Sequence, residues 1–161
     1  MCSSVSPLDK LKKTVIDFDG PYLAEQINRM EQSIYTDPSL AIGTAKEVLE
    51  TCCKTILYER GNPIKGNPDI PTLTKKTFQE LKLVPDGIPQ SARGSKIIKR
   101  LLSKLSPIGQ DLAELRNLYG TGHGKDGSAK GLAPRHAKLA VGSVSTLTTF
   151  LYETHKETEE Q

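Results

Sequence analysis

Residues 37–61 read DPSLAIGTAKEVLETCCKTILYERG, and this stretch decides the fold. Asp37 is suited to accept from the free amides of a first helical turn. Pro38 brings the backbone angle of a first helical position and lacks an N–H that a helix start would leave unpaired. Between Leu40 and Tyr58 apolar and polar residues never alternate as they would in a half-buried strand. Instead Ile42, Ala45, Leu49, Cys52 and Ile56 recur at intervals of three and four, a narrow apolar face on one long helix that Gly61 ends. On another face Lys46, Glu50 and Lys54 lie four apart. Such a row is either a ladder of surface ion pairs, each worth roughly 0.2–0.5 kcal/mol, or, through Lys46 and Glu50, support for a site built elsewhere.

Upstream, Gly20-Pro21 opens a second helix with Leu23, Ile27, Met30 and Ile34 on its buried side. Residues 1–19 show no sustained period and are expected to form a loosely held arm. Downstream, Asn62 to Pro71 holds three prolines and Gly66, a connection rather than an element. A shorter helix follows with Leu73, Phe78 and Leu81 inward, then a loop over Val84 to Gln90.

From Ser95 the residues Leu101, Leu105, Ile108, Leu112, Leu115 and Tyr119 keep helical spacing across Pro107. Retained phase predicts a kinked but continuous helix, with two helices meeting at Ser106-Pro107 as the alternative. Lys96, Arg100 and Lys104 form a cationic row on it. Gly120 to Gly131 contains five glycines and cannot be regular. Pro134 starts a last helix with Ala137, Ala140, Val144, Leu147 and Leu151 inward, and a polar tail, residues 155–161, is expected to fray and leave His155 inert. The reading is an all-α protein, an up-and-down antiparallel bundle of four to five helices in one domain spanning residues 20–154.

Composition narrows the function classes. The three cysteines form neither a disulfide framework nor a CxxC metal site, which suits a reduced, cytoplasmic compartment. No apolar run approaches the roughly 20 residues that span a bilayer, and the amino terminus lacks the cationic and apolar regions of a signal peptide, so a soluble protein without a membrane partner is expected. The net charge of +3 is unevenly spread. Arg60 to Lys104 holds ten Lys/Arg against three Asp/Glu, whereas Glu153 to Gln161 holds four Glu against Lys156. The basic middle is either a solvated face or an attraction for a polyanion.

The chemistry concentrates in Leu115-Arg116-Asn117-Leu118-Tyr119-Gly120-Thr121-Gly122-His123-Gly124. Arg116 is a permanent cation whose planar donors fit phosphate oxygens, and His123 can exchange a proton near neutral pH. The plainer reading is an arginine that complements a helix dipole and a solvated loop histidine. A phosphate loop is excluded, because Tyr119 occupies the position of its first glycine and Asp126 follows Lys125. The GxGxxG spacing is missed, and no HExxH, paired CxxC or GxSxG motif is present, so no metal or cofactor is expected.

Arg116 and His123 are separated by six residues, with Asn117 directly after the arginine. This arrangement resembles the Arg-x(4 to 6)-His motif of the HEPN superfamily. The longer pattern is similar to one member, the abortive infection protein carboxy-terminal domain. The likeness runs through Asp37-Pro38-Ser39-Leu40-Ala41-Ile42, Ala45-Lys46, Glu50, Cys53-Lys54-Thr55-Ile56-Leu57, Leu115-Arg116-Asn117, Gly122-His123-Gly124, Arg135-His136-Ala137, and from Thr146-Leu147 to Phe150-Leu151, covering about Pro21 to Thr154.

The resemblance implies a helical bundle and a metal-independent endoribonuclease of antiviral defence. RNA would be its substrate, and a homodimer would bring two Arg/His motifs into one cleft. It also leaves room for a sensor domain or an antitoxin as partner. Carried onto this chain, His123 would move the proton, Arg116 would hold the phosphate, and Asn117 would orient a partner group. Arg135 and His136 are read either as helix-start packing or as a further phosphate contact. The alternative function is a noncatalytic HEPN module that binds RNA, a nucleotide or a protein.

Overall fold

A computed structural model describes residues 6–18, 20–83, 93–105, 107–119 and 133–159, with side chains described at all of these except positions 20, 99, 113, 116 and 119. They form α1 (Pro7–Ile16), α2 (Gly20–Thr36), α3 (Pro38–Glu59), α4 (Ile70–Glu80), α5 (Ser95–Leu105), α6 (Ile108–Tyr119) and α7 (Pro134–Glu159). The described residues contain no strand. None of the helices is long and apolar enough to cross a membrane.

α3 is the axis of the bundle and packs against α2, α4, α6 and α7. Asp37 Oδ1 accepts the Leu40 amide at 3.0 Å and Pro38 occupies the first turn, as the sequence predicts. Ile42, Ala45, Leu49, Cys52 and Ile56 are all fully buried. At about 1.5–3 kcal/mol for each large apolar side chain taken from water, that stripe is the main local reason the bundle closes. The predicted stripes of α2, α4 and α7 are buried as well.

Only Asp37 separates α2 from α3, so the chain doubles back between them. α7 runs alongside α3 in the same direction. Its start lies by the end of α2, where Lys138 Nζ is 4.8 Å from the centre of the Tyr35 ring, and its end brings His155 to Glu59.

Three expectations are corrected. Residues 7–16 form α1 rather than a loose arm, with Leu11 and Val15 buried and the helix laid on α7. Ser6 caps it by accepting the Asp9 amide at 3.1 Å, and Lys10–Glu153 (2.9 Å) and Lys12–Glu31 (2.5 Å) tie its outer side down. Phe18, just beyond it, stacks on the buried ring of Tyr152 with centroids 4.2 Å apart. The physical reason is that Ser6-Pro7 is the same start signal as Asp37-Pro38.

The predicted helix across Pro107 is instead two helices, α5 and α6. The break shifts the phase: Leu102 is the buried leucine of α5, whereas Leu101 is 57% exposed. Lastly, the tail continues α7 to Glu159, and His155 is fully buried.

Candidate functional site

Gly109 sets the position of α6, the helix that carries Arg116 and Asn117. A Cβ on this buried glycine would lie 2.5 Å from Ile70 Cγ2, 3.0 Å from Thr74 Oγ1 and 3.4 Å from Leu49 Cδ2. Lacking one, α6 closes onto α3 and α4 at that point. From there it forms one wall of a groove whose other wall is the start of α7, including His136, Leu139 and Ser143. The α7 start stands beside Tyr35, so the carboxyl end of α6 reaches the end of the bundle where α2 meets α3.

The backbone of Arg116 and the whole of Asn117 belong to the last turns of α6, and Asn117 faces solvent. Leu118 beside it is a large apolar side chain, 77% exposed. The side chain of Arg116 and all of His123 lie outside the described residues. Their pairing stays an expectation of the sequence.

His136 and Arg135 sit in the first turn of α7, opened by Pro134. The Ala133 amide donates to His136 Nδ1 at 3.1 Å. The ring thus takes the part a glutamate plays in a capping box, satisfying an amide at the helix start. A nitrogen that accepts carries no proton, so in the neutral ring the hydrogen is on Nε2, which becomes a donor. Arg135 is exposed.

On α3, Glu50 Oε1 accepts from Lys54 Nζ at 2.6 Å, and Lys46 is half-buried. Among the described residues no hydrogen bond joins Lys46 or Glu50 to Asn117, Arg135 or His136. The cationic row of α5, Lys96, Arg100 and Lys104, is exposed, with Ile97, Ile98 and Leu101 exposed beside it.

A second cluster escaped the sequence reading. His155 Nδ1 accepts from Arg60 Nε at 3.0 Å, while Nε2 lies 2.6 Å from Glu59 Oε2 and 3.4 Å from Glu159 Oε1. Arg60 also reaches the Thr158 hydroxyl. Glu59, His155 and Glu159 have ligand atoms close enough together to hold an ion. The hydrogen bonding argues otherwise. A guanidinium only donates, so Nδ1 must be the bare nitrogen and Nε2 carries the proton that goes to Glu59. A cation at Nε2 would require an imidazolate or the loss of the Arg60 bond. The cluster is better described as a clamp joining the ends of α3 and α7. The signal for it was present: His155 follows Leu151 by four, in phase with the buried stripe of α7.

The fold defines an all-helical domain whose backbone places positions 116 and 117, an Arg-Asn pair in the sequence, on the last turns of one helix, ahead of a glycine-rich stretch of sequence. The family model Abi_C, described as a HEPN-like domain, matches residues 21–155, and the chain belongs to that family. No curated protein and no solved structure matches it.

Proposed function

We propose that the chain is a metal-independent endoribonuclease of a cytoplasmic abortive-infection defence system, working as a homodimer on single-stranded RNA. The observation that carries the reading is the family membership together with Arg116 and Asn117 on the closing turns of α6, immediately before the segment that contains His123. In this scheme the ribose 2'-oxygen attacks the adjacent phosphorus and the bond from phosphorus to the 5'-oxygen breaks. His123 of one protomer takes the proton of the 2'-hydroxyl, and the partner's His123 gives one to the departing 5'-oxygen. Arg116 binds the phosphate and offsets the charge that grows on it, and Asn117 orients the phosphate or His123. RNA supplies its own nucleophile, so the step requires no activated water. The exposed cations of α5 suit a polyanionic substrate.

The test is cleavage of an unstructured RNA in excess chelator, with mass spectrometry of the new ends. Wild type should give 2',3'-cyclic phosphate and 5'-hydroxyl termini, leave DNA intact, and stop at any position methylated on the 2'-oxygen. His123→Ala should remain a folded dimer and lose roughly 10²–10⁴-fold in rate. A strict need for divalent metal with 5'-phosphate products would sink the mechanism. Tight RNA binding without cutting would favour the noncatalytic module.

A further inference from the structure

The groove between α6 and α7 encloses about 330 Å³ and is walled by Leu112, Leu115, Leu139 and Ala140, with Asp111 and His136 as its charged or ionisable lining. Leu115 directly precedes Arg116. Pockets that are mostly apolar, with a few placed polar groups, are the usual form of a small-ligand site. Its polar lining is defined in kind. His136 Nδ1 is engaged by the Ala133 amide, so in the neutral ring Nε2–H is its remaining donor, and the Ser143 hydroxyl on the same lining can donate or accept. The exposed Asp111 carboxylate makes no hydrogen bond or ion pair with any described residue, and it accepts only.

An RNA phosphate would be repelled by Asp111. An unstacked base would not: its faces suit the leucine walls, and its edge supplies the N–H groups a carboxylate needs. We propose that this groove is a base-binding subsite for a nucleotide next to the scissile phosphate, and that it selects guanine. Guanine places N1–H and the N2 amino group side by side, a two-point match to one carboxylate, and adjoins them with O6, an acceptor for His136 Nε2–H. Uracil offers one N–H flanked by two carbonyls. Adenine and cytosine place a ring acceptor where the second donor is needed. The inference rests on the nuclease reading for its biological meaning, but the pocket chemistry can be tested without cleavage.

The experiment is titration of the full-length protein with each of the four nucleoside 5'-monophosphates, followed by calorimetry or NMR, for wild type and Asp111→Asn. Loss of a charge-assisted hydrogen-bond pair is expected to matter by about tenfold. Guanosine monophosphate should therefore bind about tenfold tighter than the other three, and Asp111→Asn should reduce that preference to about twofold or less. Asp111 is exposed on α6, so the variant should fold, as circular dichroism would verify. Equal affinity for all four nucleotides, no saturable binding, or a preference untouched by Asp111→Asn would overturn the proposal. So would a dimer that Leu139→Lys breaks in a protein that binds no nucleotide, since a second copy would then occupy the groove. RNA cleavage without guanine binding would refute the subsite alone. Asp111-dependent guanine binding without RNA cleavage would refute the nuclease and keep the subsite.

Discussion

At the scale of single residues, burial decides what the reactive side chains can do. Cys52 and Cys53 are both fully buried, Cys52 near the Tyr152 hydroxyl and Cys53 against Thr74 and Thr77. Burial pushes the Cys53 thiol up to about 11, against an ordinary value of 9.0, and moves Cys52 in the same direction. In the unfolded chain these thiols ionise near their ordinary value, whereas in the fold they stay protonated to higher pH. The native state then binds more protons than the unfolded one, so stability falls as pH rises. The contribution is intact below about pH 8.5 and is lost towards about pH 11. Urea unfolding at stepped pH should show this decline, on the order of 2 kcal/mol, and Cys53→Ser should reduce it, leaving the part that Cys52 contributes. Rapid alkylation of both thiols in the folded protein at pH 8 would contradict it. His155 shows how burial can be missed in sequence. Its neighbours Glu153, Lys156 and Glu157 are exposed and polar, and they mask a position in phase with Leu151. The capping role of His136 was illegible for another reason, since the familiar capping signature has glutamate or glutamine in that place.

Among the elements, periodicity was readable wherever a single start signal and an unbroken helix kept one phase. α2, α3, α4 and α7 each open with a proline at or near the first helical position and bury the side their spacing indicates. α1 has the same signal in Ser6-Pro7 and the spacing of Leu8, Leu11 and Val15, but its lysines and short length hid it. Across Pro107 the phase argument misled because two independent helices can share spacing by chance, and only contact with the core selects Leu102 over Leu101. The helix bearing Arg116 and Asn117 was therefore legible, whereas the reason for its placement, Gly109, was not. Gly109→Ala would press a methyl against Ile70 Cγ2, which is fixed by β-branching and cannot swing away cheaply. The expected cost is about 1–3 kcal/mol, measured by chemical denaturation, with α6 displaced from α3. Since alanine is the better helix former by about 1 kcal/mol, a stabilised Gly109→Ala protein would mean that α6 does not pack this closely.

For the whole molecule, the remaining question is why a bundle with a well-covered core leaves leucine side chains in solvent at one end. Leu118 is 77% exposed and stands one residue after Asn117, at the carboxyl end of α6. A lone exposed leucine is ordinary, but this one adjoins the proposed catalytic segment. One Arg and one His also give a single protomer few groups for the proposed cleavage, which would both remove and deliver a proton. A two-fold axis near Leu118 would cover the apolar side chain and double the catalytic set in the same contact, since an isologous interface repeats every residue across it. Leu118→Asp would place two like charges at such an axis and should weaken the dimer by at least about tenfold. Sedimentation and cleavage rates measured over one concentration series provide the check. Wild-type activity per chain should level off once the dimer is complete. The variant should be monomeric and slow when dilute, and should regain rate as concentration forces it to pair. A Leu118→Asp protein that stays dimeric, or that is monomeric yet cuts RNA at the full rate per chain, would show that the site is not shared across this end of the bundle.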